Sequence, residues 1–158
     1  MEQVTFYSWR VEIDPVATAA AYSQFTAPDP TCCNACATFR EIVRRGLLPP
    51  ETVRFLESAG ADAMKVQEVW GAPDGGFLNG WWIVVGRLPD GEWDGGADRA
   101  CVEPVPGFKC WVTGEPSMLP PAALHGQPLV QLEFEWLDPR LAEIEREVWP
   151  VRVAGSAT

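Results

Sequence analysis

Residues 78–87, which read LNGWWIVVGR, are the stretch that decides the fold of this chain. The five residues 81–85 are apolar without interruption, and such a run predicts a strand that is buried on both faces. We therefore expect residues 78–87 to lie at the centre of a sheet. Residues 65–70 predict a neighbouring strand, and the Gly-rich segment 71–76 with its Asp-Gly pair predicts a hairpin connection between the two.

Further strands are predicted on both sides of this hairpin. Apolar and polar residues alternate over 7–13 and, most regularly, over 129–136, as is typical of strands with one buried face. Shorter strands are expected around residues 100–103 and 108–113. Most of the strands therefore follow one another in the second half of the chain, and such an order favours antiparallel pairing.

Four helices are predicted from local signals. Asp14-Pro15, Pro49-Pro50 and Asp138-Pro139 mark helix starts, Gly46 and Gly60 mark helix ends, and the Pro-rich residues 27–30 break the first helix. Their approximate bounds are 15–25, from 31–34 to 46, 50–60 and 138–148. Strands and helices are thus largely segregated along the chain. This order predicts an α+β fold, in which an N-terminal strand and a single layer of helices pack on a mainly antiparallel sheet.

The composition is that of an ordinary globular protein. Of the 158 residues 47% are hydrophobic and 22% charged, which predicts one domain over residues 1–158. Eight Trp residues predict an aromatic-rich core. We expect residues 93–97 to form a loop and the tail, residues 152–158, to be disordered.

The chain is strongly acidic, with a formal net charge of -10. Nucleic acids and anionic lipid surfaces repel such a chain, so we expect neither as a partner. The best basic cluster is Arg40, Arg44 and Arg45, and Glu41 within it indicates a solvated helix face. The charge suits a basic protein partner, such as a cationic toxin or nuclease, and suits plain solubility equally well.

The N-terminus does not resemble a signal peptide, because residues 1–5 lack a basic region followed by an apolar run. The longest apolar stretch, residues 81–85, is far shorter than the ~20 residues of a membrane-spanning helix. We therefore expect a cytoplasmic protein. In that compartment, cysteines are typically reduced thiols or metal ligands rather than disulfides.

Three of the five cysteines fall within residues 32–36. Cys33 and Cys36 have the spacing of half a structural zinc site, and Cys101 and Cys110 are the residues that could complete it. A hairpin through residues 105–107 would bring the second pair together. We expect no cofactor, and zinc at these cysteines is the one exception that the spacing allows.

Two other interpretations of the cysteines stay open. Cys33 at a helix N-terminus has the position of a reactive redox thiol, although no strand is predicted directly before it. Alternatively, Cys36 packs in the apolar stripe of its helix while Cys32 and Cys33 fill the helix start. This packing interpretation is the one that the sequence favours, since buried free cysteine is common.

The sequence contains no motif of a hydrolase or a nucleotide-binding enzyme. A Gly-x-Ser-x-Gly elbow, a His-Glu-x-x-His pair and a phosphate-binding loop are all absent, and no nucleophile can be paired with the single His125. The candidate partner-binding residues are acidic: one pair on the predicted strand 129–136 and one on the last helix, namely Glu133, Glu135, Glu143 and Glu147.

Two stretches together resemble a known group of proteins. Cys33-Asn34-Ala35-Cys36-Ala37-Thr38-Phe39 is followed by the Gly80 to Gly86 strand, and residues 31–87 are similar to small uncharacterised bacterial proteins. Those proteins carry a Cys-x-x-Cys-x-Asn-Phe-like motif and a Gly-Trp-aromatic strand, and Thr38 stands where they usually have Asn. The resemblance implies a shared fold unit and carries no activity with it.

Two functions follow as hypotheses, and a small-molecule binder with a Trp-lined pocket stays open as a third. The first is a non-enzymatic interaction protein, for example of the immunity type, whose acidic surface covers a basic partner. The alternative is a metal- or thiol-dependent protein that uses Cys33 and Cys36 for structural zinc or redox chemistry.

Overall fold

The structure is a computed structural model that describes residues 1–89, 101–114, 116 and 119–149. These residues form an α+β fold of four helices and seven strands. The strands join in one open sheet with the order β1-β2-β4-β7-β6-β5, and β3 also pairs with β4. The expected loop 93–97 and the expected disordered tail 152–158 lie outside the described residues.

All pairings between the strands of this sheet are antiparallel. The strands are β1 (Glu2–Phe6), β2 (Trp9–Ile13), β3 (Glu68–Ala72), β4 (Phe77–Arg87), β5 (Val102–Val105), β6 (Phe108–Thr113) and β7 (Leu129–Leu137). The long strands β4 and β7 pair over nine residue positions at the centre. Residues 78–87 thus lie in the central strand, as the apolar run at 81–85 predicts.

The helices begin and end close to their predicted signals. They are α1 (Pro15–Tyr22), α2 (Asn34–Arg44), α3 (Pro50–Ser58) and α4 (Arg140–Val148). The Asp14 side chain caps α1 by accepting a hydrogen bond from the Ala17 N–H at 2.9 Å. Gly46 follows α2 with a φ of 65°, which is the left-handed conformation predicted for the glycine that ends this helix.

One face of the sheet, here called the inner face, packs against α2, α3 and α4. Apolar side chains of all three helices share one core cluster with this face. Phe39 of α2 lies 5.9 Å, between ring centroids, from both Trp82 of β4 and Phe134 of β7. The aromatic-rich core predicted from the composition therefore lies between the helices and the central strands.

Helix α1 occupies a gap in the sheet. Strand β2 pairs only with the end of β4, at Arg87 and Gly86, while β3 pairs with its first half. Between them the N–H of Val85 donates to Thr18 Oγ1 of α1 at 3.0 Å. The N–H of Ile83 donates to the side-chain oxygen of Gln67 at 2.9 Å. The gap is closed by side chains that satisfy the buried backbone.

The opposite face of the sheet, here called the outer face, is covered in part. Trp81, Ile83 and Val85 of β4 form a second, smaller cluster with Ala21 of α1 and Leu124, which lies in a short 3-10 turn. This cover lies over the end of β4 that is nearest to α1. Other outer-face side chains, such as Trp70, which is 49% exposed, are accessible to solvent.

The N-terminal strand predicted over residues 7–13 is wrong at its start. The chain makes a tight turn at Tyr7 and Ser8, and β1 before this turn pairs with β2. Tyr7 has a φ of 49°, a left-handed conformation that its residue type does not signal. The alternation over residues 7–13 does not extend back into β1, because the adjacent apolar residues Phe6 and Tyr7 shift its phase at the turn.

Candidate functional site

Three thiols lie together at the N-terminus of α2. The Sγ atoms of Cys32, Cys33 and Cys36 are all within 4.8 Å of one another. Cys33 is the N-cap residue of the helix, and its Sγ accepts a hydrogen bond from the Cys36 N–H at 3.3 Å. The Sγ atoms of Cys33 and Cys36 are 3.1 Å apart, and all of these cysteines are free thiols.

A turn just before α2 brings Cys32 to the other two thiols. Asp29 accepts hydrogen bonds from the backbone N–H of Thr31 at 2.8 Å and, through its carbonyl oxygen, from that of Cys32 at 3.1 Å. The Arg40 side chain donates to the carbonyl oxygen of Pro28 at 3.1 Å, which ties the turn back to the helix. The position of Cys32 is therefore set by local hydrogen bonds.

The three thiols differ in their exposure. Cys32 is exposed, Cys33 is half-buried and Cys36 is only 9% exposed. Burial, together with the neighbouring Cys33 thiol, raises the pKa of the Cys36 thiol to about 12. The cluster thus spans the boundary between solvent and core. Packing in the core, which the apolar stripe of the helix predicts, therefore explains the position of only one of the three thiols, Cys36.

Cys101 and Cys110 do not belong to this three-thiol group. Cys110 lies in the middle of β6 with no exposed surface, and burial raises the pKa of its thiol to about 12. Cys101 is exposed and precedes β5. The thiols that the structure brings together are thus Cys32, Cys33 and Cys36, while the ligand set Cys33, Cys36, Cys101 and Cys110 stays a prediction.

The two predicted acidic pairs lie on different sides of the sheet. Glu133 and Glu135 alternate with the core residues of β7 and so belong to the outer face. Glu143 and Glu147 lie on α4, on the inner-face side, where they line a cleft of about 220 Å³. They therefore do not form one combined acidic surface, and Glu147 is already ion-paired with Arg45.

The sheet register places Glu133 between two tryptophans on the outer face. Glu133 is directly opposite Trp81 of β4 and directly opposite Trp111 of β6. Trp81 in turn is opposite Glu68 of β3, and opposed residues of antiparallel strands share a face. The result is a row of alternating acidic and aromatic side chains across four strands.

A second row runs alongside the first. Glu135 is opposite Asn79 on one side and Lys109 on the other, and Trp70 lies beyond Asn79 on β3. Lys109 Nζ is 4.0 Å from a carboxylate oxygen of Glu135, at the limit of an ion pair. The two rows form the acidic-aromatic patch, defined by Glu68, Trp70, Trp81, Trp111, Glu133 and Glu135.

Glu133 sits in an environment that disfavours its charge. Burial raises the pKa of Glu133, whereas hydrogen bonds from the side chains of Gln131 and Trp111 oppose this shift. Gln131 Nε2 donates to Glu133 Oε1 at 2.7 Å. Both donors are neutral, so these bonds stabilise the carboxylate without cancelling its charge.

The sequence interpretation left Cys32 out of the candidate ligand set and did not identify the tryptophans as neighbours of Glu133. The signal for Cys32 was the Cys-Cys-x-x-Cys spacing itself, which places all three residues at one helix start. No signal in the sequence pairs Trp81 and Trp111 with Glu133, since the pairing depends on the register of three strands. His125, the single histidine, is exposed and contacts the Pro120 carbonyl oxygen.

Among the described residues, no helix is both long enough and apolar enough to cross a membrane. No family model, curated protein or solved structure matches the chain, so the function is inferred from its own residues.

Proposed function

We propose that this protein is a non-enzymatic interaction protein that binds a basic protein partner through its acidic-aromatic patch. The observation that carries the proposal is the position of Glu133 between Trp81 and Trp111. An immunity-type role, in which the chain covers the cationic site of a toxin or nuclease, is one form of this function. We place this function in the cytoplasm, where free cysteines such as those of this chain stay reduced.

The chemistry of the patch suits Arg or Lys side chains. Exposed indole faces attract cations, and on the patch these belong to Trp70, which is 49% exposed, and to the half-buried Trp111, since Trp81 is only 8% exposed and packs beneath α1 and Leu124. The Glu133 carboxylate beside Trp111 supplies an opposite charge at short range. The desolvated Glu133 carboxylate would gain from a cation that arrives with the partner, because an opposite charge favours its ionised form. The net charge of -10 adds long-range attraction for a basic protein.

The acidic residues of α4 serve this function less well. Glu147 is paired with Arg45, and Arg140 lines the same cleft, so cations of the chain itself already occupy this side. On the patch, Lys109 is the nearby cation and lies 4.0 Å from Glu135. Charge complementarity to a basic partner therefore favours the outer face.

The test uses two double variants with the same loss of charge. The immobilised chain is used to capture basic proteins from the source cell at low and moderate salt, and the captured protein is then purified. Its affinity is measured by calorimetry for the wild type, for Glu133→Gln/Glu135→Gln and for Glu143→Gln/Glu147→Gln. We expect the first variant to lose about tenfold or more and the second to stay within about threefold of the wild type.

Two results contradict the proposal. One is that the chain captures no salt-sensitive basic protein. The other is that both double variants lose affinity equally, since net charge rather than the patch would then explain the binding.

A further inference from the structure

We infer that Cys32, Cys33 and Cys36 form a binding site for one d¹⁰ metal ion that prefers sulfur ligands, and Zn²⁺ is the ion with which the site is tested. The three Sγ atoms lie within 4.8 Å of one another at the N-terminus of α2. This site is independent of the proposed partner binding, because the cysteines lie at the start of α2, a helix on the inner-face side, whereas the patch lies on the outer face.

The distances fit thiolate coordination. A tetrahedral ion with Zn–S bonds of about 2.3 Å separates its sulfur ligands by about 3.8 Å. The observed separations stay below 4.8 Å, and the Cys33–Cys36 separation of 3.1 Å is the one that must widen on binding. Cys32 is exposed and Cys33 is half-buried, so their side chains have room for this adjustment.

The helix N-terminus favours the charge of the loaded site. Three thiolates and one Zn²⁺ carry a net charge of about -1, and the positive end of the α2 dipole stabilises an anion there. Thiolates are soft ligands that select Zn²⁺ or Cu⁺ over Mg²⁺ and Ca²⁺. Binding displaces the thiol protons, so each of the three S–H bonds is exchanged for an S–metal bond.

Three protein ligands leave a fourth position for water or an exogenous ligand. Closed structural zinc sites have four protein ligands, whereas sites that bind a further molecule have three. Cys32 is exposed, so solvent reaches the site and can supply the fourth ligand. The site therefore has the ligand number of an open metal site.

The experiment measures metal uptake by the reduced full chain. Protein purified without chelator is titrated with Zn²⁺ under anaerobic conditions, and Co²⁺ is used as a spectroscopic substitute. We expect about one Zn²⁺ per chain and a thiolate-to-cobalt charge-transfer band. In Cys32→Ser the affinity falls by about tenfold or more, and in Cys33→Ser it falls at least as far, whereas the matched control Cys101→Ser binds like the wild type.

Three outcomes overturn the inference. The reduced wild type takes up less than stoichiometric Zn²⁺, or Cys32→Ser binds Zn²⁺ as tightly as the wild type, or Cys101→Ser loses the ion. Circular dichroism of each variant shows whether the fold is retained. We expect Cys32→Ser and Cys101→Ser to retain it, because both positions are exposed. A Cys33–Cys36 disulfide that forms readily in a chain that binds no Zn²⁺ would favour redox chemistry instead.

Discussion

Gly80 and Phe134 face each other directly across the β4–β7 pair, and the Phe134 ring occupies the space above Gly80. A Cβ atom at position 80 would lie 2.9 Å from two ring carbons of Phe134 and 2.6 Å from the Glu68 carbonyl oxygen. Glycine at this position therefore allows the central aromatic cluster to contact the strand backbone.

We expect Gly80→Ala to lower the free energy of unfolding by about 1–3 kcal/mol, because the added methyl group overpacks the centre of the sheet. Urea denaturation measures the change. Gly114→Ala is the matched control, since the nearest atom to its new Cβ is a flexible Leu88 side-chain carbon at 3.8 Å. Equal stability of Gly80→Ala and the wild type would show that Phe134 does not lie where the structure places it.

Phe134 is the centre of the aromatic core. Its ring centroid lies 5.1 Å from that of Trp82 and 5.6 Å from that of Phe108, with Phe108 almost parallel to it. We expect Phe134→Ala to cost about 3–5 kcal/mol, because the substitution leaves a cavity among rings that cannot close over it. Thermal unfolding and urea denaturation measure the loss.

Trp70→Ala is the control for Phe134→Ala. Trp70 is 49% exposed and its ring pairs with that of Phe77 at the sheet surface. We expect a much smaller loss of stability than for Phe134→Ala, despite the larger side chain removed. A comparable loss at both positions would contradict the assignment of the core to the inner face.

Thr18 closes the gap between β2 and β3. Its Oγ1 atom accepts a hydrogen bond from the Val85 N–H at 3.0 Å in a buried position. We expect Thr18→Val, which keeps the side-chain shape, to lower the free energy of unfolding by about 1–3 kcal/mol, because the Val85 N–H is left without an acceptor. Hydrogen exchange of the Val85 amide should become faster than in the wild type.

Thr18→Ser separates the hydrogen bond from the packing. This variant keeps the hydroxyl and loses one methyl group, so amide exchange at Val85 should stay close to that of the wild type. If Thr18→Val and Thr18→Ser protect Val85 equally, the hydroxyl does not serve as the acceptor.

Glu133 predicts a pH dependence of stability. Burial raises the pKa of this carboxyl above its unfolded value, so the folded protein binds the proton at a higher pH than the unfolded chain. Stability therefore rises as the pH falls from neutral through the folded pKa, and the gain is complete below the unfolded pKa. We expect Glu133→Gln to be more stable than the wild type at neutral pH, with a difference that shrinks toward acid.

Urea denaturation of both proteins between neutral and acid pH measures this difference. Glu143→Gln on α4 removes the same charge at an exposed position and controls for the net charge of the chain. A difference between Glu133→Gln and the wild type that does not vary with pH would contradict the assigned burial of Glu133. A residue that costs stability in the free protein is the kind expected at a binding site.

Local patterns in the sequence determined most of the secondary structure and one part of each candidate site. The apolar run at 81–85 predicted the central strand, and the cap signals predicted four helices close to their observed bounds. The start of α2 near Cys33 and the shared face of Glu133 and Glu135 were likewise predictable. These features depend on neighbours within a few residues, which a sequence displays directly.

Tertiary structure alone decided which residues meet across the fold. The tight turn at Tyr7 contains no Gly or Asn to signal it, and β1 before the turn is only five residues long, so β1 was not predicted. The position of Glu133 between Trp81 and Trp111 depends on the register of three strands, and a shift of one residue would move these side chains to opposite faces.

The cysteines show the same division. The sequence by itself determined that Cys33 and Cys36 lie one helical turn apart at a helix start. It left open whether Cys101 and Cys110 join them, because their positions depend on how β6 packs in the sheet. The packing of β6 placed Cys110 in the core, whereas a local turn held by hydrogen bonds to Asp29 brought Cys32 to Cys33 and Cys36.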